Sequence, residues 1–337
     1  MSPGFRLLLS VIPFALLGGC SSNWQSALQA HGGPAISLKH LIILIVAICS
    51  AVWALVMVAM IHALWRRRQA WRAPMELIPR RERRMGVIVT GCVGATAVII
   101  AGFTVASFLT TRTISVPGKD DLTIRIRGLQ WWWGIEYLGP DPARRFETAN
   151  EIHIPVQRNV RLVLEGDDVI HSFWVPSLAG KQDLIPGRIN EIIVRAERSG
   201  TYRGQCAEFC GLQHAHMGFV VIADTPEDFA KWVDAQRAPA AQASDEAVAA
   251  GRDTFMGKPC AGCHTIRGTQ AAGTTGPDLT HVGGRAFIAA GLLATTQGSL
   301  AAWIADPQTL KPGNNMPLVP LTPDELRAVS AYLASLK

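Results

Sequence analysis

Cys206-Ala207-Glu208-Phe209-Cys210-Gly211-Leu212-Gln213-His214-Ala215-His216-Met217 gathers two thiols, two imidazoles and a thioether into one short run. Soft sulfur and imidazole donors in this density suit copper. A mononuclear blue-copper site needs one thiolate, whereas a pair four residues apart is suited to bridging two metals. Zinc is the structural alternative, because two cysteines and two histidines also close a tetrahedral site. A local disulfide is a third reading. Met217 and the strand-rich surroundings favour copper over both.

Working outward, the segment 115–225 is built of short β-branched and aromatic runs broken by Gly, Pro and Asp. Ile124–Ile126, Glu151–Pro155, Val160–Glu165, His171–Val175, Ile189–Arg195 and Gly218–Ala223 read as strands. Turn signals every 8–12 residues between such strands predict an all-β sandwich or barrel. His171 brings a further imidazole on its own strand. Gln130-Trp131-Trp132-Trp133 is ambiguous, since alternation on a strand sends only one face into a core.

Downstream, 226–244 is Ala-rich with few bulky apolar residues and reads as a linker. It leads to Cys260-Ala261-Gly262-Cys263-His264, the attachment motif of a c-type haem. Two thioether bonds would hold the porphyrin, and His264 would ligate the iron on the near face. Met316, in Pro312-Gly313-Asn314-Asn315-Met316-Pro317, is the expected distal ligand. A helix over Asp245–Phe255 precedes the motif. A closing helix follows Thr322-Pro323-Asp324-Glu325, a capping box with proline at the first helical position. Leu326, Val329, Leu333 and Leu336 share one face of it. His281 and Arg285 are candidates for contacts to the haem propionates.

Upstream, the runs 41–64 and 85–109 carry no charge and exceed the roughly 20 residues a helix needs to cross a bilayer. The loop 65–84 between them holds eight arginines and two glutamates, so it accounts for the whole net charge of +6. A basic loop between two apolar runs marks a cytoplasmic side and removes the case for nucleic-acid binding. A transmembrane hairpin over 37–110 is therefore expected, with both termini outside. Residues 1–19 read as a signal peptide, and Leu17-Gly18-Gly19-Cys20 resembles a lipoprotein cleavage box that would place a lipid on Cys20.

The spacing Cys-x-Glu-x-Cys-x-x-x-His-x-x-Met, together with His171 in Asp168-Val169-Ile170-His171-Ser172-Phe173-Trp174, resembles subunit II of cytochrome c oxidase. The resemblance implies a cupredoxin-like Greek-key sandwich holding two copper ions. Cys206 and Cys210 would bridge them, His171, His214 and Met217 would be terminal ligands, and Glu208 would bind through its carbonyl. His216 falls outside that pattern. The Glu208 side chain would reach a magnesium ion at the subunit I interface. Gln130-Trp131-Trp132-Trp133 resembles the segment in which Trp131 would be the electron gate. Asp167 and Asp168 are candidates for docking a basic donor, with solvated loop acids as the default reading. Glu82 stands near the position of a proton-uptake glutamate, without the neighbouring Trp/Pro pattern of the family.

The segment 245–337 resembles an all-α class I cytochrome c. The order of hairpin, copper domain and haem domain resembles the bacterial haem–copper oxidases whose subunit II carries a fused cytochrome c. This implies a subunit in the bacterial inner membrane with both redox domains on the periplasmic side. It would take electrons from an external cytochrome c or a quinol–cytochrome c reductase. Its copper would pass them to subunit I of a proton-pumping oxidase, with subunit III a further partner. Fusion places donor and acceptor at an effective concentration near millimolar. Two rivals fit less well. A nitrous oxide reductase needs a second, histidine-rich copper cluster, for which nine histidines leave none. A copper carrier has no use for the tryptophans or the haem.

Overall fold

The computed structural model describes residues 25–69, 79–114, 122–139, 141, 144–243 and 245–337. The leader 1–19, Cys20, the middle of the arginine-rich loop and the opening residues of the expected copper domain lie outside them. The chain divides into a hairpin unit, Ile36–Val116, and a unit formed by the remainder.

The hairpin consists of helix α1, Gly33–Gln69, and helix α2, Pro79–Ile114. Each contains a span long and apolar enough to cross a membrane, Gly33–Arg66 and Arg80–Arg112. Their apolar side chains, Trp53, Leu55, Val87 and Val98 among them, are exposed, as expected of helices whose solvent is hydrocarbon. Glu82 lies exposed in the first turn of α2.

The second unit opens with a β-sandwich. Strands β1 (Leu122–Leu129), β2 (Trp132–Leu138), β3 (Phe146–Ala149), β4 (Glu151–Pro155) and β5 (Val160–Gly166) come first. They are followed by β6 (His171–Trp174), β7 (Gln182–Leu184), β8 (Asn190–Val194), β9 (Gly200–Cys206) and β10 (Gly218–Asp224). One sheet has the order β3-β2-β1-β5-β8 and the other β4-β10-β9-β6-β7, so the chain changes sheet repeatedly. Most neighbours are antiparallel; β1 with β5 and β4 with β10 are parallel. In β1 and β5 buried and half-buried residues alternate, one face of each strand entering the core. That core is aromatic: Trp133 meets Phe173 and Phe219 edge-on, and those two phenylalanines stack.

The segment read as a linker over 226–244 is helical in its first half. Helix α3, Pro226–Arg237, is capped by Thr225, whose hydroxyl accepts from Asp228 N–H. Phe229, Trp232 and Val233 pack it onto the sandwich, and the Trp232 ring stacks on His153 at 4.0 Å. These three apolar residues sit at helical spacing, which the alanine-rich composition around them obscures. The short connection after α3 is pinned as well. Ala240 N–H donates to Arg267 carbonyl at 2.8 Å, and Arg267 Nη2 donates to Gln236 carbonyl at 2.6 Å.

The C-terminal part comprises α4 (Glu246–Gly257), α5 (Cys260–Cys263), the two-stranded hairpin β11 (Phe287–Ile288) and β12 (Leu293–Ala294), α6 (Gln297–Ala305), α7 (Pro307–Leu310) and α8 (Pro323–Ser335). Both bonds of the Thr322/Glu325 capping box form. Helix α8 buries Val329, Tyr332 and Leu333 against α4, with Leu336 just beyond its end. The crossing is close enough that a Cβ on Gly251 would fall 2.0 Å from Ala328 carbonyl. Glycine is required there by contact, not by backbone conformation.

Candidate metal centre and haem pocket

The residues that could hold copper come from two neighbouring strands and the loop after them. Cys206 ends β9, His171 begins the adjacent β6, and Cys210, His214 and Met217 lie on the turn leading to β10. Their donor atoms converge. Cys206 Sγ is 3.7 Å from Cys210 Sγ, 3.9 Å from His171 Nδ1 and 3.2 Å from Glu208 carbonyl. Cys210 Sγ is 3.6 Å from His214 Nδ1 and 3.7 Å from Met217 Sδ. The cysteines form no disulfide. Every residue named for this centre from the sequence is brought to it. His216 is not: its side chain is exposed and hydrogen-bonds to Gln213 Oε1. Two thiols, two imidazole nitrogens, a thioether and a carbonyl, held at these separations, suit a pair of copper ions.

The electrostatics of the cluster favour thiolate. The Cys210 thiol and the His171 ring draw Cys206 well below the ordinary thiol range against the penalty of burial. Cys210, facing that thiolate, moves up, so only one of the pair ionises readily until a cation neutralises both. Burial pulls His171 down, but its bonds to Cys206 and Asp168 outweigh it and the net shift is upward.

Asp168 has a role that the sequence reading did not give it. Its Oδ1 accepts from His171 Nε2 at 2.8 Å and its Oδ2 from Gln130 N–H at 2.6 Å. It fixes the tautomer that leaves Nδ1 free toward the sulfurs, as carboxylates behind ligating histidines do. Asp167 is paired with Arg127. Both acids lie exposed on the loop, as the default reading has them, and each also holds a partner there. The spacing Asp-x-x-His carries the signal that would have revealed Asp168.

Trp131 sits in the turn between β1 and β2 and is only 8% exposed. Its indole Nε1–H donates to Cys210 carbonyl at 3.0 Å, and Gln130 Nε2 donates to the same oxygen at 2.8 Å. Trp133, two residues on, is buried more deeply, at 1% exposure.

The haem motif borders an apolar cavity lined by Cys260, Cys263, His264, Leu279, Arg285, Trp303, Met316 and Leu333, among others. His264 Nδ1–H donates to Pro277 carbonyl at 2.8 Å, and Gly276 lies so close that a Cβ would fall 2.6 Å from the imidazole. The ring is thus fixed with Nε2 available, and burial lowers its pKa, which favours the neutral form that a ligand needs. Asn314 Oδ1 accepts from Met316 N–H, and Gln308 Nε2 donates to Met316 carbonyl, which sets the loop of the expected distal ligand. Arg285 is buried in the cavity wall with its Nε unpartnered, and burial lowers its pKa. An orphaned guanidinium nitrogen in an otherwise apolar cavity suits an anionic group, and a haem carries propionates. His281, the other candidate, instead bonds to Lys337 and Ala238 carbonyls and does not line the cavity.

The two centres adjoin. A second cavity is lined by Trp131 and Trp132 from the sandwich and by His264, Gly276, Lys311 and Met316 from the C-terminal part.

Comparison with known proteins finds relatives for both parts of the second unit. The profile described as cytochrome c oxidase subunit II, periplasmic domain, matches residues 138–224, and the cytochrome c profile matches 248–337. Cytochrome c oxidase subunit 2 of Alkalihalophilus pseudofirmus is 38% identical over 221 residues, covering 65% of this chain and 63% of the relative. The chain thus spans less than two thirds of that relative's length. The Bacillus subtilis protein of the same name is 28% identical over 351 residues, covering 98% of this chain and 97% of the relative. The crystal structure of the periplasmic domain of cytochrome oxidase subunit II from Bradyrhizobium japonicum has 36% identity and a TM-score of 0.34, covering 36% of this chain and 96% of that one. The copper-type ligand cluster and the haem motif thus lie within the two matched segments, and the chain belongs to the cytochrome c oxidase subunit II family, in the form that carries a C-terminal cytochrome c domain.

Proposed function

We propose that this chain carries electrons one at a time from an external donor to the oxygen-reducing subunit of a proton-pumping cytochrome c oxidase. In this reading Cys260, Cys263, His264 and Met316 hold a covalent haem c. His171, Cys206, Glu208, Cys210, His214 and Met217 hold the dinuclear copper centre. When bound, the haem and the copper pair would supply two one-electron couples. Trp131, bonded to Cys210 and lining the cavity beside His264, would be the gate. Subunit I would receive the electron and reduce oxygen to water, with subunit III a further partner. The hairpin would sit in the bacterial inner membrane with both redox domains on its outer side, and magnesium would bind at the subunit I face through Glu208.

The observation that carries the reading is the position of Trp131. Its indole donates to Cys210, and the same side chain forms part of the wall that also holds His264 and Met316. Because the chain's own haem domain covers this tryptophan, a soluble donor delivers its electron to that domain and not to the copper domain directly. The exposed side chains of Glu208 and Phe209 beside the copper ligands suit a contact with a further subunit.

The optical and EPR spectra of the purified full-length chain test this. The expected result is a low-spin haem c together with a mixed-valence two-copper signal. Bound zinc, or a single blue copper, would overturn it.

A further inference from the structure

Between the sandwich and the C-terminal part lies one side chain that neither redox centre uses. Lys311, at the end of α7, is only 2% exposed. Its Nζ donates to three carbonyl oxygens: Trp131 at 2.7 Å, His216 at 2.8 Å and Ala289 at 3.1 Å. Burial lowers its pKa to about 7, and when charged the three N–H donors of the ammonium are all used by this set. Two of the three acceptors belong to the sandwich, Trp131 beside the copper loop and His216 within it; the third belongs to the haem domain. Among the described residues no carboxylate pairs with Lys311. A buried amino group without a counter-ion is costly and is a poor choice for stability alone.

A second observation, from a different part of the chain, points to the same contact. The tip of the β11–β12 hairpin runs Ala289, Ala290 and Gly291 with φ of 54°, 60° and 80°. Two consecutive alanines in the left-handed region are strained, and such strain concentrates where geometry serves function. Here it turns Ala289 carbonyl to Lys311 and Ala290 carbonyl to Gly218 N–H of the sandwich, at 2.9 Å. Two further bonds join the domains alongside: Gln213 Nε2 donates to Pro312 carbonyl, and Ala286 N–H donates to Glu151 Oε2.

We propose that Lys311 and the strained tip Ala289–Gly291 form a docking latch that holds the haem domain in register on Trp131 and the copper loop. Lys311 is a positioning residue: it touches neither set of metal-ligating atoms, but fixes the carbonyl of the gate tryptophan and the turn that presents Met217. Its role in electron flow rests on the function proposed above; its role in docking does not.

The test uses the full-length chain in detergent. Lys311→Met keeps the aliphatic stem and leaves three carbonyls without a donor. Hydrogen exchange at 286–291 and 213–219 should rise at least ~10-fold, while helices Glu246–Gly257 and Pro323–Ser335 keep their protection. Flash-induced oxidation of the reduced haem by the copper pair should slow by a similar factor, with reduction of the haem by an external donor unchanged. Gly291→Val, which places a side chain at φ 80° beside Gly218, should reproduce the pattern without altering the buried lysine. Unchanged exchange at the two segments, or loss of protection throughout the haem domain in both variants, would overturn the latch. If the wild-type chain shows no haem-to-copper transfer but the exchange pattern appears, the functional reading fails and the latch stands.

Discussion

The copper centre and the haem pocket solve opposite problems. At the copper centre the protein has already built the site: six donor groups converge on a rigid frame of β6 and β9, with separations below 4 Å. At the haem pocket the protein has left space. Phe255, Leu300, Ile304, Val329 and Leu333 line a cavity inside what is otherwise the domain's core. One site positions ligands for an ion a few ångströms across; the other needs a prosthetic group to complete its packing. Loss of the bound group should therefore leave the first domain folded and undo the second.

The most severe break of that contrast is the double substitution Cys260→Ser, Cys263→Ser. Without thioether links the porphyrin is free to leave, and the cavity walls lose the contacts that a close-packed core supplies. The expected cost is comparable with the whole stability of a small domain, ~5–10 kcal/mol. Hydrogen exchange should show α4 and α8 unprotected, while stripping copper with a chelator leaves the strands of the sandwich protected. Equal loss of protection in both domains under either treatment would end the comparison.

The next test works from the copper side. Asp168→Asn removes the carboxylate that fixes the His171 tautomer through a 2.8 Å bond, without touching a ligand. Copper affinity should fall ~10–100-fold, the usual effect of losing such a partner. The melting temperature of the metal-free chain should stay near wild type. A copper titration followed by EPR reads the first, and differential scanning calorimetry the second. Unchanged affinity would mean that the β-frame alone orients the imidazole. His216→Ala, by the same titration, should change nothing.

Why these sites could be read from the sequence, and other features could not, follows from how local each is. Cys206, Cys210, His214 and Met217 fall on one loop, so their spacing carries the geometry; Cys260, Cys263 and His264 do the same. Six strands were legible from β-branched and aromatic runs between turn residues, and Val160–Gly166 by its alternation as well. β9 hid because Gly200-Thr201-Tyr202-Arg203 carries little apolar signal; it is a strand because β6 and β10 flank it. α3 hid behind alanines, although Thr225-Pro226 with Asp228 is a start signal and Phe229, Trp232 and Val233 mark a face. Lys311 was invisible for a deeper reason. Its three acceptors come from residues 131, 216 and 289, and no local pattern encodes a contact among three distant segments.

A third test asks whether the sandwich has a pH-dependent hold of its own. His153 is buried between Asp224 and Glu151, with ring-to-carboxylate distances of 2.7 and 3.3 Å. Burial lowers its pKa, but the two hydrogen-bonded carboxylates outweigh burial and the net shift is upward from 6.5. A histidine with a raised folded-state pKa adds stability that is complete below 6.5 and fades as pH rises through the raised value. The unit should thus melt lower on the alkaline side of that window. His153→Gln should flatten the dependence and cost about 1–2 kcal/mol below it. Because Glu151 also accepts from Ala286 N–H, exchange at 286–291 should rise slightly over the same pH range.

The smallest effect sharpens the contrast most, because it perturbs the haem domain without touching its cavity. Thr322→Ala removes the hydroxyl that accepts from Glu325 N–H at the start of α8, and with it half of the capping box. Such caps contribute ~1 kcal/mol. Helix α8 supplies Val329 and Leu333 to the cavity wall, so the loss should appear as weaker protection of α8 and α4. The absorption spectrum of the haem should not move, because neither His264 nor Met316 depends on that cap for its orientation: Pro277 holds the first and Asn314 the second. If the distal ligation did shift, the pocket would be a cooperative whole in which any loss of packing reaches the iron. An unchanged spectrum on a weakened domain would instead show that the loops set the ligands while the helices set the stability. The copper domain makes the same division between the turn that carries its ligands and the sheets that support it.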